Sequence, residues 1–407
     1  MAYTLLGIGL LYFFAHLLAI TFDRTRLPDV LVLMMIGILV GPILGWTGPE
    51  AFGTSGRALA TIALAVILFE SGTTLDLSQI QRSARSTLQL AIVTAGMTIG
   101  VIALGAHYFL GLSWIAALLV GTIASGTSSA VVIPMVRSLR MREGPGTLLI
   151  LESALTDVTS IVLTFAMLQA ATQGEVHVGR LIGQTISSLS FAAVIGIAGG
   201  VGWLLIWDRI RQLPTTVFTT LAGAFILYGT AELLGFAGAI AVLAFGITLT
   251  NYPYLQLARR REARPLTGVT PAESDFYREI VFLLKTFFFV YLGLSMRLDN
   301  LAILGIALVL MLAVYAGRLL ITALLAPQGS TRDDAVILGV MIPKGLAAAV
   351  LAALPLETGM PEGSTIQALV YGIVLMSIIL TALLVALRSA FPIKQILQRP
   401  MGQLPEA

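Results

Sequence analysis

GTIASGTSSAVVIPMV at 121–136, followed after a short basic loop by LLILESALTDVTS at 148–160, is the stretch on which the reading of this chain turns. The first segment sets Ser125, Gly126, Thr127, Ser128 and Ser129 in the middle of an apolar run. At membrane depth, irregular backbone is tolerated only where it is buried in protein or lines a cavity. The second segment puts Glu152 and Asp157 into an otherwise apolar helix. A carboxylate at the bilayer centre costs roughly 2.5–3.5 kcal/mol on insertion scales, so such residues sit there for transport, relay or pairing. Together the two segments read as a transport site.

Composition fits that setting. Of 407 residues, 57% are hydrophobic and 11% charged, against about 25% charged in soluble domains. The chain is therefore expected to be an all-α polytopic membrane protein. Cysteine is absent, which excludes a disulfide framework and a thiolate metal site, and the three histidines, His16, His107 and His177, fall at span ends or in loops. The first 20 residues lack a basic leader and are long enough for a full span rather than a cleaved signal. Basic residues are scattered through loops and not stacked with aromatics, which argues against a nucleic-acid partner. Membrane lipids are the expected surroundings.

Apolar runs between charged or Pro/Gly breaks predict spans near 3–21, 28–45, 57–72, 86–106, 113–136, 145–171, 179–206, 214–231, 235–250, 275–296, 300–326, 333–354 and 365–388, thirteen transmembrane helices in all. With that count, 18 Lys and Arg fall in the loops of one side and only Arg57, Arg180 and Arg297 in those of the other. The positive-inside rule then sets the N-terminus outside and the C-terminus in the cytoplasm of a cell membrane. The longest cytoplasmic connection, between the ninth and tenth spans, carries four arginines within six positions. It reads as a solvated loop facing lipid headgroups, with partner docking as the sharper alternative. Residues 1–407 read as a single transmembrane domain with no soluble regulatory domain.

The chain also repeats itself. Ile123-Ala-Ser-Gly126-Thr-Ser-Ser-Ala130-Val131 aligns with Ile342-Pro-Lys-Gly345-Leu-Ala-Ala-Ala349-Val350, and LFESGTTLDL, which begins at Leu68, aligns loosely with VYLGLSMRLDN, which begins at Val290. Each pairing relates span n to span n+7. Seven crossings reverse direction, so two inverted six-helix repeats are expected, about 1–172 and 214–390, joined by a linker helix at 179–206. Interrupted helices at corresponding places in inverted repeats point to a midplane binding site in secondary transporters. The fifth and twelfth spans are the predicted broken, crossing pair.

Ser153, Thr156, Asp157 and Ser160 stand at i, i+3, i+4 and i+7, one helical face. A carboxylate among hydroxyls and freed carbonyls offers hard oxygen ligands to an alkali cation, and the same carboxylate takes a proton, so one site holds either ion in turn. Asp157 is the first candidate for a monovalent cation site, against the plainer reading of a structural, hydrogen-bonded carboxylate. Glu152, five positions earlier, projects to another helix, where Arg318 of the eleventh span is the available partner. A buried Glu–Arg pair is preferred over cation ligation by Glu152, since pairing makes both charges tolerable. Lys344, in the twelfth-span break, either neutralises carbonyls left by the interruption or pairs with Asp157 and exchanges with the cation. Thr127 and Ser128 are candidate ligands, or small residues that let helices approach. Glu70 closes the third span and is a candidate for an ion funnel, with snorkelling as the alternative; Lys285 reads as a snorkelling lysine.

These residues resemble the monovalent cation/proton antiporter superfamily, especially its sodium/proton exchanger branch, with features of potassium/proton antiporters. LFESG at 68–72 is similar to its third-span signature, and Glu152-Ser153-Ala-Leu-Thr156-Asp157 to its Glu-Ser-x-x-Asn-Asp. Arg318 is similar to its buried arginine, and Pro343-Lys344-Gly345 to its Arg-Gly break. The resemblance implies that Asp157 binds cation and proton alternately, that Glu152 and Arg318 are an ion pair, and that a core domain moves like an elevator against a dimerisation domain in a homodimer. Thr156 replaces the Asn of typical electroneutral exchangers and the Asp of electrogenic ones. The fifth-span break lacks the Asp-Pro common in sodium exchangers and is nearer that of potassium-efflux relatives. Both Na⁺ and K⁺ stay open.

The expected function is secondary-active antiport of Na⁺ or K⁺ against H⁺, electroneutral, with no cofactor. The alternative is a sodium-coupled symporter of an organic solute on the same architecture. An intramembrane serine hydrolase would need a histidine near Ser128 or Ser129 to activate the hydroxyl, and the sequence places none at mid-membrane, so an enzyme is not expected. A passive channel fits a titratable acid between half-helices less well than alternating access does.

Overall fold

Helix ends in this chain are set by side chains that can take up orphan backbone groups. Ser113 accepts the Ala116 amide at the start of one helix, and Thr331 and Asp334 form a reciprocal capping box at the start of another. The structure, a computed structural model, describes residues 2–25, 28–49, 53–75, 77–173, 178–210, 218–252, 270–296, 298, 300–325 and 331–387. In chain order it contains α1 (Ala2–Thr25), α2 (Asp29–Ile38) running into a π-helical turn (Leu39–Ile43), α3 (Gly53–Thr74), α4 (Leu77–Leu110), α5 (Trp114–Ile123), α6 (Ser129–Ser138), α7 (Glu143–Gln173) and α8 (Val178–Ile210). It continues with α9 (Thr219–Leu233), α10 (Gly238–Thr250), α11 (Pro271–Leu294), α12 (Leu301–Leu325), α13 (Arg332–Val340), α14 (Leu346–Leu351), α15 (Leu354–Glu357) and α16 (Gly363–Leu387). Among the described residues there is no β-strand.

Each apolar run of the sequence falls on one of these helices or on an interrupted set. The fifth run is split between α5 and α6, the twelfth among α13, α14 and α15. Hydropathy underestimates several lengths: the run at 86–106 belongs to α4, which starts at Leu77 because its first turns, LSQIQRSARS, are polar yet helix-compatible. Residues 214–217 of the eighth run, the four arginines of the 253–269 connection, and all residues from 388 lie outside the described residues. Windows at Thr87–Leu110, Gly144–Leu168, Leu301–Leu325 and Gly363–Leu387 are each long and apolar enough to cross a membrane.

By contacts the chain forms two compact units. The first comprises Met1–Gly56, Ser83–Glu175 and Thr286–Ala407, the second Arg57–Arg82 and Val176–Lys285. Both draw on each half of the sequence, so compactness does not follow the 1–172 and 214–390 division.

In the first unit α12 packs along α16 and α13, α7 packs against both α5 and α6, and α14 reaches α5, α7 and α16. Where α2 meets α11, a Cβ on Gly37 would fall against Val290 O and Gly293 Cα, and one on Gly293 against Met34 O and Gly37 Cα. Glycine at both positions is what allows the two backbones to touch. In the second unit α10 packs against α8 and α9. There Gly72 of α3 and Gly246 of α10 make the same reciprocal contact, a Cβ on either meeting the other helix's backbone at 2.5–3.1 Å. Thr250 Oγ1 then donates to Thr73 O at 2.7 Å and Asn251 Nδ2 to Leu75 O at 2.7 Å, fixing this crossing at its end. Phe69 stacks on Phe245 with centroids 5.6 Å apart and meets Tyr277 edge-on at 5.1 Å.

Candidate functional site

The site lies within the first unit, where residues 124–128 interrupt α5–α6 and residues 341–345 interrupt α13–α14. The first break carries the small polar residues singled out in the sequence, which favour local hydrogen bonds over helix continuation; in the second, Pro343 has no amide hydrogen to give. The two breaks meet: the Ser128 amide donates to Pro343 O at 2.8 Å. A Cβ on Gly345 would land on the Ser128 hydroxyl, so only glycine lets the breaks come this close. Gly345→Ala is expected to lower stability by about 1–3 kcal/mol, as overpacking does, read as an earlier thermal transition in detergent.

Asp157 of α7 faces the first break. Its Oδ2 accepts from Ser129 Oγ at 3.1 Å and from the Ser129 amide at 3.4 Å. That amide belongs to the first turn of α6, whose partial positive charge favours an anion. A Cβ on Gly126 would sit 3.0 Å from Asp157 Oδ1, so the break passes close over the carboxylate. Asp157 is half-buried, and no cationic side chain lies within ion-pair distance of it among the described residues.

The face expected on α7 is only partly assembled into this site. Thr156 Oγ1 accepts the Thr127 amide at 3.2 Å and donates to Glu152 O at 2.9 Å, tying break to helix. Ser160 Oγ donates to Thr122 O at 2.8 Å and to Ile123 O at 3.0 Å, covering carbonyls at the end of α5. Ser153, by contrast, turns its hydroxyl back to Ile150 O at 2.9 Å on its own helix. Thr127 Oγ1 is buried without a hydrogen-bond partner among the described residues, a polar oxygen available to a ligand.

Glu152 points away from Asp157 and meets Arg318 of α12 in a bidentate pair, both distances 2.6 Å and both side chains fully buried. The guanidinium also donates to Thr94 Oγ1 of α4 and, at 3.1 Å, to Leu338 O of α13. Four helices thus converge on one arginine. Lys344 is fully buried, and its Nζ lies 3.5 Å from Ser125 O, just beyond the C-terminal end of α5. Among the described residues it makes no ion pair with Asp157 within 4 Å. Glu70 lies in the second unit, half-buried on α3, its carbonyl accepting from Thr73 Oγ1 at 2.7 Å.

Several contributors carried little signal in the sequence. Ser129 lay in the quoted hydroxyl run but was not separated from its neighbours. Thr94 is one threonine in an apolar span, with nothing to distinguish it. Tyr315, Ser377 and Thr381 have a weak mark: Tyr315 stands one turn before Arg318, and Ser377 and Thr381 are an i, i+4 polar pair in an apolar helix. Among the described residues no group of three His, Cys, Asp or Glu forms a cluster able to hold a metal ion, and the oxygens gathered around Asp157 are hydroxyls and backbone carbonyls.

Comparison with known proteins gives a consistent picture. The K(+)/H(+) antiporter NhaP2 of Shewanella sp. strain ANA-3 is 25% identical over 372 residues, covering 88% of this chain and 61% of that protein. Sodium/hydrogen exchanger 8 of Rattus norvegicus is 25% identical over 318 residues, covering 72% of this chain and 53% of that protein. The chain therefore spans about half to three-fifths of the length of these relatives. In fold it is similar to the sodium proton antiporter MjNhaP1 of Methanocaldococcus jannaschii at pH 8, with a TM-score of 0.72, 20% identity and 99% of each chain covered. The family description "Sodium/hydrogen exchanger, transmembrane" matches residues 9–386, a range that takes in both breaks, Asp157 and the Glu152–Arg318 pair. By that match this chain belongs to the sodium/hydrogen exchanger family of membrane-embedded monovalent cation/proton antiporters.

Proposed function

We propose that the chain exchanges Na⁺ or K⁺ for H⁺ across a membrane, with Asp157 as the group that binds either ion. The observation that carries this is a half-buried carboxylate with no ion-pair partner among the described residues, held by Ser129 at the point where two interrupted helices meet. A cation arriving there meets the carboxylate, the free Thr127 hydroxyl and the carbonyls of the first break. Thr156 and Ser128 hold the break in place, while Ser153, on the same helix face, has its hydroxyl turned to Ile150 O. Glu152 and Arg318 neutralise each other and brace α7 against α12. Lys344 offsets the partial negative charge at the end of α5 through Ser125 O. Glu70 is assigned to an ion entry path at the end of α3.

The wider architecture belongs to the same proposal: thirteen crossings, inverted repeats at about 1–172 and 214–390 joined by the helix at 179–206, N-terminus outside, C-terminus cytoplasmic, a homodimer, and elevator-type movement. The glycine crossings support the repeat. Gly37–Gly293 joins the second and tenth spans and Gly72–Gly246 the third and ninth, and adding or subtracting seven turns one pair of spans into the other. The relatives reported above are antiporters or exchangers by name, which weighs against a sodium-coupled symporter.

The direct test is a proteoliposome carrying a preformed pH gradient, into which Na⁺, K⁺ or Li⁺ is added. Dissipation by at least one of them is expected; no response to any would end the proposal. Exchange is further expected to be electroneutral, because Asp157 releases one proton for one cation, Glu152 is held by Arg318, and Thr156 is neutral. A membrane potential is worth about 2.3 kcal/mol per elementary charge per 100 mV. With the potential clamped at zero and then imposed by an ionophore, the equilibrium ion distribution should not move; a shift would reject one-to-one exchange.

A further inference from the structure

Behind the second break lies a set of buried hydroxyls for which the ion site itself has no use. The Lys344 amide, left without a helical acceptor by the interruption, donates to Ser377 Oγ of α16 at 2.8 Å. Ser377 Oγ in turn donates to Val374 O at 2.7 Å. Tyr315 of α12 donates to Ser377 O at 2.9 Å, and its hydroxyl lies 2.6 Å from Thr381 Oγ1. Ser377 and Thr381 are fully buried and Tyr315 nearly so, so every one of these bonds is made out of reach of water.

A side chain on the following helix also takes a backbone amide beside the first break, though not at the position that aligns with Lys344. There, the amide of Ser129, the first residue of α6 after the break, is taken by a side chain on the helix that follows, Asp157 of α7. In the second, the break amide of Lys344 is taken by a side chain on the helix that follows, Ser377 of α16. The acceptor is a carboxylate beside the first break and a hydroxyl beside the second. The hydroxyl holds the backbone without offering the Lys344 ammonium a charge on α16. The ammonium is thereby left on Ser125 O, in the same break that passes over Asp157 at Gly126.

We propose that Ser377, braced by Tyr315 and Thr381, is a positioning residue for exchange. It fixes the second break so that the Lys344 ammonium stays on the carbonyl end of α5 and does not compete with the cation for Asp157. Without the Ser377 hydroxyl the Lys344 amide loses its acceptor, the break loosens, and the ammonium gains access to the carboxylate. The inference rests on the roles given to Asp157 and Lys344 under Proposed function, and the experiment separates the two.

Exchange is measured in proteoliposomes of the whole chain, with Na⁺, K⁺ and Li⁺ in turn, for wild type, S377A, S377T, Y315F, K344M and S377A/K344M. Loss of one buried hydrogen bond is worth about 1 kcal/mol net, or about fivefold. S377A is therefore expected to raise the apparent cation KM about fivefold while the maximal rate stays within about twofold. S377T, which restores the hydroxyl, should bring KM back, and Y315F should raise it in the same direction by less. In the double variant the rise should vanish, because the competing ammonium is gone. A KM unchanged in both S377A and Y315F overturns the proposal, and so does a rise that persists without Lys344. K344M indistinguishable from wild type in both KM and rate would instead sink the role given to Lys344. Where a variant does not transport, cation-dependent thermal stabilisation in detergent supplies the same comparison of affinities. A variant that does not fold leaves Y315F against S377T to decide.

Discussion

Asp157→Asn is expected to reduce cation-dependent dissipation of a pH gradient to the level of empty vesicles. The amide neither releases a proton in the physiological range nor carries the charge that attracts a cation. Two unit charges 4 Å apart interact by about 4 kcal/mol at an effective dielectric of 20, close to a thousandfold in affinity. Folding should survive, since the amide oxygen still accepts the Ser129 amide and hydroxyl that now meet Oδ2. The check is exchange in proteoliposomes next to a melting curve in detergent: a well-folded variant that still exchanges at the wild-type rate removes Asp157 from the ion site. Asp157→Glu, which keeps the charge on a longer side chain crowded by Gly126, should retain part of the activity.

Breaking the pair between α7 and α12 has the second large effect, this time on stability. Arg318→Ala leaves the Glu152 carboxylate fully buried without its bidentate partner and frees Leu338 O and Thr94. Glu152→Gln leaves the guanidinium with neutral acceptors only, the new amide oxygen beside Leu338 O and Thr94 Oγ1, and no counter-charge. Stranding one member of a buried pair is worth roughly 3–5 kcal/mol. Both variants should therefore melt well below wild type in detergent. Replacing both residues by apolar ones of similar volume should recover much of the loss, because desolvating the ions offsets most of their attraction. An Arg318→Ala protein with an unchanged melting curve would remove the ion-pair role. So would a double replacement no better than the worse single variant. Exchange by whatever fraction stays folded should keep its cation dependence, which distinguishes this pair from Asp157.

Sequence alone determined the class of this protein and marked the stretch of chain that carries its candidate site. Apolar runs mark the helices because any segment that excludes water must satisfy its backbone internally, and hydropathy reports that requirement residue by residue. Small polar residues and a Pro-Lys-Gly inside such runs mark the two interruptions for the same reason. Asp157, Glu152, Arg318 and Lys344 stand out because charge is rare in so apolar a chain. What tertiary structure alone decided is which of these groups answer one another. The four residues 152, 153, 156 and 157 are nearly adjacent in sequence. Yet Glu152 is turned to Arg318, Ser153 to its own helix, Thr156 to the Thr127 amide and Asp157 to Ser129. Helical periodicity gives a direction but not a neighbour. The neighbour depends on which helices cross there, and that is settled by contacts between residues up to 249 positions apart, as in Ser113 with Glu362. Lys344 shows the same limit: burial makes a counter-charge or an oxygen obligatory, but only the meeting of the two breaks makes that oxygen Ser125 O and leaves Asp157 with no ion pair among the described residues.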